Sequence, residues 1–157
     1  MASNQVSIPS QASRYLHYSD ARESSQPISA VVLAGRVLFS LIFIVAAFGH
    51  FSPQEIAYAA QQGVPLASIA VPFSGVMALL GGLSVLLGYK AKWGAGLLIL
   101  FLIPITFMMH NFWAVKDPMM AQMQMAMFLK NVSMVGAALL ITQFGPGPLS
   151  FDTRRSK

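Results

Sequence analysis

Four apolar runs, each close to the roughly 20 residues a helix needs to cross a bilayer, dominate this chain at 28–51, 66–88, 93–113 and 122–144. Backbone N–H and C=O groups find no water in hydrocarbon, so such runs have to satisfy them internally as helices. The pattern predicts an all-α integral membrane four-helix bundle over 28–144. A polar N-terminal tail at 1–27 precedes it and a basic tail at 145–157 follows. Only 10% of the residues are charged, against about 25% in soluble domains. The tail at 1–27 has no apolar centre and does not read as a secretory signal.

The chain has no cysteine. That excludes disulfides, thiolate metal sites and dithiol chemistry. The net charge of +5 comes from few residues and points to anionic lipid rather than nucleic acid. Arg14 and Arg22 precede the first run, Lys90 and Lys92 join the second to the third, and Arg154, Arg155 and Lys157 follow the fourth. The opposite side holds Glu55 in one loop, and Lys116 beside Asp117 in the other. Basic loops stay inside. This predicts a multi-pass protein of the plasma (inner) membrane with both termini cytoplasmic.

One outer loop carries its own structure. Ser52, Pro53 and Glu55 form a capping box with proline at the first helical position. Gly63 can end the helix that they start, and Pro65 prevents its continuation. A short amphipathic outer helix is expected, with Ile56 and Tyr58 at the interface. Within the runs, Ser74, Ala78 and Gly82 recur every fourth residue, a small-residue face for close helix contact. Pro72 and Pro104 are expected to bend their helices and free backbone carbonyls.

Polar residues inside the runs are costly, about 2.5–3.5 kcal/mol for a mid-bilayer charge. Arg36 can snorkel toward the cytoplasmic surface or hydrogen-bond from helix to helix. His50, His110, Asn111, Lys130 and Asn131 share the outer half on three different runs, where a bundle could bring them together. Lys130 could reach Glu55 or Asp117. These residues, with Phe112 or Trp113 against a ring, could hydrogen-bond a quinone carbonyl. Met119, Met123 and Met127 form a stripe that suits Cu(I) but more often fills apolar space. No phosphate loop, paired carboxylates or nucleophile elbow occurs.

The segments GRVLFSLIFIVAAFGHF, LLGGLSVLLGYKAK, PITFMMHNFW and FLKNVSMVGAALLI together resemble the DoxX family of small four-helix membrane proteins. The resemblance covers about 33–143. It rests on Gly35 and Arg36, on Gly49, His50 and Phe51, on His110, Phe112 and Trp113, and on Lys130 and Asn131. Many DoxX proteins carry a glutamate before the Gly-Gly of the second span; here Ala78 stands about there. The resemblance implies an accessory subunit of a redox-linked, electron-transport membrane complex with protein partners. A quinone-binding membrane oxidoreductase is the alternative. A lipid or small-molecule transporter or a copper handler is a further one.

Overall fold

The computed structural model describes the backbone of residues 11–155 and the side chains of 29–154. The N-terminal residues 1–10, and the side chains of Arg14, Arg22, Arg155 and Lys157, lie outside that description. The described chain is all helical: α1 Gln11–Gly49, α2 Pro53–Gln61, α3 Ala67–Leu87, α4 Ala91–Met109, a 3-10 turn Phe112–Ala114, α5 Pro118–Phe144 and α6 Phe151–Arg155. Four stretches are long and apolar enough to cross a membrane: Ser29–Gly49, Ala67–Leu87, Ala91–Ala114 and Pro118–Phe144. The chain is an integral membrane protein.

Local chemistry sets the ends. Ser52 accepts the Glu55 N–H at 3.2 Å, with Pro53 in the first turn of α2. The reciprocal half of the capping box is absent, because the Ser52 N–H already donates to the Gly49 carbonyl. Asp117 repeats the device for α5, accepting from the Met120 N–H at 2.8 Å ahead of Pro118. This cap starts α5 four residues before the apolar run predicted at 122–144. It moves Lys130 and Asn131 to the middle of a 27-residue helix, about 18 Å along from Pro118 at 1.5 Å per residue. The two residues thus stand further along their helix than the apolar run alone suggested. The third span also differs: its α-helix stops at Met109, and His110 leaves helical geometry at φ −125°, ψ 46°.

The spans pack in the order α1, α3, α4, α5, each against the next, while α1 and α5 share at most a grazing contact. Small residues make the close approaches. A Cβ added to Gly75 would lie 2.7 Å from His50 Cβ, and one at Gly82 would lie 3.0 Å from Ile44. This face of α3 therefore rests directly on α1. Gly81 and Gly94 do the same between α3 and α4, where a Cβ on Gly81 would meet Leu98 at 2.7 Å. Phe43, Ala47, Met77, Ala78, Leu98, Phe101 and Leu102 form the core between these helices. Both α3 and α4 run unbroken through Pro72 and Pro104.

The chain then folds back across one end of the bundle. Arg36, 5% exposed, does not snorkel to the surface. Its Nη1 donates to the Pro146 carbonyl at 3.0 Å, and its Nη2 to the carbonyls of Leu149 at 3.1 Å and Leu86 at 3.3 Å. Asp152 then caps α4 from a distance, accepting the backbone N–H groups of Lys90 at 2.8 Å and Ala91 at 3.0 Å. Lys92 Nζ donates to the Gln143 carbonyl at 2.9 Å. The C-terminal residues are thus a hook held to the bundle by hydrogen bonds.

Candidate functional site

Because α1 and α5 stay apart, a cavity of about 840 Å3 opens between them, floored by α3 and α4. Its walls are mainly apolar, with Phe43, Phe73, Met77, Leu100, Ile105 and Met134 among them. The polar side chains on the wall are His50 from α1, Glu55 and Tyr58 from α2, Ser74 from α3, His110 at the end of α4, and Lys130 and Asn131 from α5. Pro104 also lines it, together with Leu100, whose carbonyl loses its helical donor because proline has no N–H.

His50 sits where α1 ends, and its ring lies 5.7 Å from that of Phe101. Its Nδ1 is 2.8 Å from Ser74 Oγ. The Ser74 hydroxyl has one proton, which it donates to the Val71 carbonyl at 2.7 Å. It therefore accepts from His50, which fixes Nδ1–H as donor and leaves Nε2 of the neutral ring as acceptor. His110 is held the same way. Its Nδ1 lies 2.7 Å from Gln124 Oε1 on α5, and an amide oxygen only accepts. Both imidazoles are thus oriented by neighbours that the sequence reading did not pair with them. Ser74 was legible only as a small residue; Gln124, polar within an apolar run, was the available signal for the second.

The two α5 residues are differently placed. Asn131 is 4% exposed, lines the cavity, and its amide has no hydrogen-bond partner among the described residues. The enclosed side-chain polar atoms without a partner among the described residues are Arg36 Nε and Ser40 Oγ; the Asn131 amide instead borders the cavity. Lys130 Nζ has as its polar neighbour Met127 Sδ at 3.4 Å, and a thioether is a weak acceptor. The expected reach to Glu55 or Asp117 is not made: Lys130 forms no ion pair among the described residues, and Asp117 is committed to the α5 cap.

Of the residues singled out from the sequence, His50, His110, Lys130 and Asn131 share this cavity, and Glu55 joins them. Asn111 and Trp113 are not on its wall. Trp113 instead packs with Phe112, Phe107 and Phe128, ring centroids 5.1 to 6.5 Å apart, at the α4–α5 corner. Arg36 belongs to the C-terminal hook at the other end. The methionine stripe points away from the core: Met119, Met123 and Met127 are all exposed. Among the described residues no three His, Cys, Asp or Glu side chains cluster as metal ligands would.

A model of the SURF4 family matches residues 2–157. The chain is 29% identical over 143 residues to the inner membrane protein YphA of Escherichia coli (strain K12), a stretch that is 90% of this chain and 97% of that protein. It is 26% identical over 125 residues to the ER-derived vesicles protein ERV29 of Saccharomyces cerevisiae, 80% of this chain and 34% of that one. With the Surfeit locus protein 4 homolog of Schizosaccharomyces pombe the identity is 29% over 124 residues, 78% of this chain and 37% of the other. The chain thus spans nearly all of YphA and about a third of each yeast protein. No solved structure matches it. These matches overturn the DoxX resemblance, whose motifs at 33–143 lie wholly inside the SURF4 match. The redox-linked subunit that the resemblance implied goes with it, as do the quinone oxidoreductase, small-molecule transport and copper alternatives, none of which the matched family or relatives support. Matched over nearly its whole length, the chain belongs to the SURF4 family.

Proposed function

We propose that this chain is a non-catalytic membrane receptor that holds a lipid in the cavity between α1 and α5. The observation that carries this reading is Asn131, a residue 4% exposed whose amide borders a large apolar cavity and has no hydrogen-bond partner among the described residues. An unsatisfied amide there costs free energy unless an occupant meets it. The volume falls within the roughly 300–1,000 Å3 range of single-ligand pockets. The gap between α1 and α5 gives entry from the bilayer.

An acyl chain suits these walls better than an extended polypeptide. Each peptide residue would bring one donor and one acceptor to a surface with few polar groups to receive them. The names of the relatives, inner membrane proteins in a bacterium and an ER-derived vesicles protein in yeast, agree with a function carried out within membranes.

The receptor sits in the bacterial inner membrane with both termini cytoplasmic. Lys90, Lys92 and Arg154 gather at the end closed by the C-terminal hook, where positive charge is retained inside and meets anionic lipid. The test is native mass spectrometry of the purified full chain under conditions that strip annular lipid. Wild type is expected to retain one lipid-sized adduct. Ala46→Phe, which narrows the cavity from α1, is expected to lose it with the same melting temperature. Bare wild-type protein, or an adduct unchanged in the filled variant, would sink the proposal.

A further inference from the structure

The cavity's polar groups also specify the head of its occupant. We infer that the ligand is a single-chain lipid ending in a carboxylate, with that carboxylate held midway along α5 by Lys130 and Asn131; the inference rests on the receptor reading above.

Lys130 and Asn131 occupy the central residues of α5, a helix long and apolar enough to cross a membrane, and Lys130 is exposed while Asn131 is buried. Charged residues in spans pair with one another, with carbonyls, or with what passes through a cavity. Lys130 has only the Met127 thioether at 3.4 Å. Glu55 faces the same cavity but belongs to α2, at the end where α1 stops, and makes no ion pair with Lys130 among the described residues. The ammonium therefore lacks a counter-ion, and the adjacent amide lacks an acceptor for its two N–H donors. An oxyanion supplies both needs: it neutralises the lysine and accepts from the asparagine, by charge-assisted hydrogen bonds about twice as strong as neutral ones.

The size of the charge selects among oxyanions. One ammonium balances one carboxylate. A phosphate monoester carries about −1.5 to −2 near neutral pH and would leave charge that one ammonium does not balance. The histidines are engaged elsewhere. Each donates through Nδ1 to Ser74 or Gln124 and, when neutral, presents Nε2 as an acceptor. The apolar remainder of the ligand runs along Phe73, Met77, Leu100 and Met134.

The experiment adds palmitate, hexadecanol and hexadecyl phosphate at equal concentration to the purified full chain at pH 8. Adducts are counted by native mass spectrometry. Palmitate is expected to exceed both others by about tenfold. Lys130→Met is expected to bring palmitate down to the hexadecanol level and leave hexadecanol unchanged, while Lys130→Arg keeps the preference. Asn131→Leu, which removes the amide donors and keeps the charge, is expected to reduce the preference without abolishing it. Equal palmitate and hexadecanol binding in wild type would overturn the carboxylate assignment and leave the receptor reading standing, as would a preference for hexadecyl phosphate. If none of the three binds, the receptor reading itself fails. The wild-type comparison decides the matter even if a variant does not fold.

Discussion

The guanidinium of Arg36 donates to the carbonyl of Pro146 at 3.0 Å, across 110 residues of sequence. With the carbonyls of Leu86 and Leu149, it ties the first span to the end of α3 and to the residues after α5. A fork of donors can serve several carbonyls at once, which a single ammonium cannot. The charge within the first span is therefore part of how the C-terminal hook is fastened.

Removing that fork should free the hook. Arg36→Met leaves three carbonyls without their donor, at about 1–3 kcal/mol for each that stays buried. A net loss of about 2–4 kcal/mol is expected, since water can reach some of them. Arg36→Lys should recover only part of it. Hydrogen exchange across 145–155 reads the result: exchange no faster than in wild type would contradict the fastening role.

Gly88 ends α3 at φ +65°, and an added Cβ would strike Ser150 of the hook and approach Arg36 Nη1 at 2.8 Å. Gly88→Ala should therefore lower stability by about 1–3 kcal/mol through strain and collision. Gly96→Ala is its control, since nothing lies within 4 Å of that Cβ. Alanine there should be neutral or stabilising by up to about 1 kcal/mol. Thermal melts in one detergent compare the two, and equal shifts would count against the packing described.

Asp152 accepts two N–H groups at the start of α4, as an N-cap residue would, though it lies some sixty positions away. Asp152→Ala should cost about 0.5–2 kcal/mol, the range for a lost cap. Asp152→Asn, which keeps an acceptor, should cost less. A melting temperature unchanged in Asp152→Ala would show that water caps α4 equally well.

Ser74 fixes the tautomer of His50 by giving its own proton to Val71. Nitrogen NMR of histidine-labelled protein should show the neutral His50 ring protonated at Nδ1, the less common form in water. Ser74→Ala should mix the two tautomers. A wild-type ring protonated at Nε2 would reverse the assigned hydrogen bond.

Much of the helical framework was legible in the sequence because its causes are local. Ser52 and Pro53 announced α2, and the four apolar runs announced the spans. Asp117 and Pro118 carried the same signal for α5, but hydropathy alone placed that start at 122 and so misjudged where along its helix Lys130 falls. The cost of a charge in hydrocarbon flagged Arg36 and Lys130 equally, yet it could not say that carbonyls satisfy one and that the other faces a cavity. The motif order suggested the wrong family, since the motifs were short and the SURF4 match covers the same residues.

The sequence by itself determined how many helices there are, where most of them begin and end, and which polar residues needed a reason to be in the membrane. Hydropathy, capping and proline chemistry act over a few neighbouring residues. Only the tertiary structure decided that α1 and α5 stand apart, that Asn131 lies buried without a partner while Trp113 faces outward, and that Arg36 meets Pro146. A soluble helix shows its buried face as an apolar stripe. These spans are apolar nearly all round, so their rotation is set instead by close contacts such as Gly75 on His50 and Gly82 on Ile44, which exist only once the helices pack.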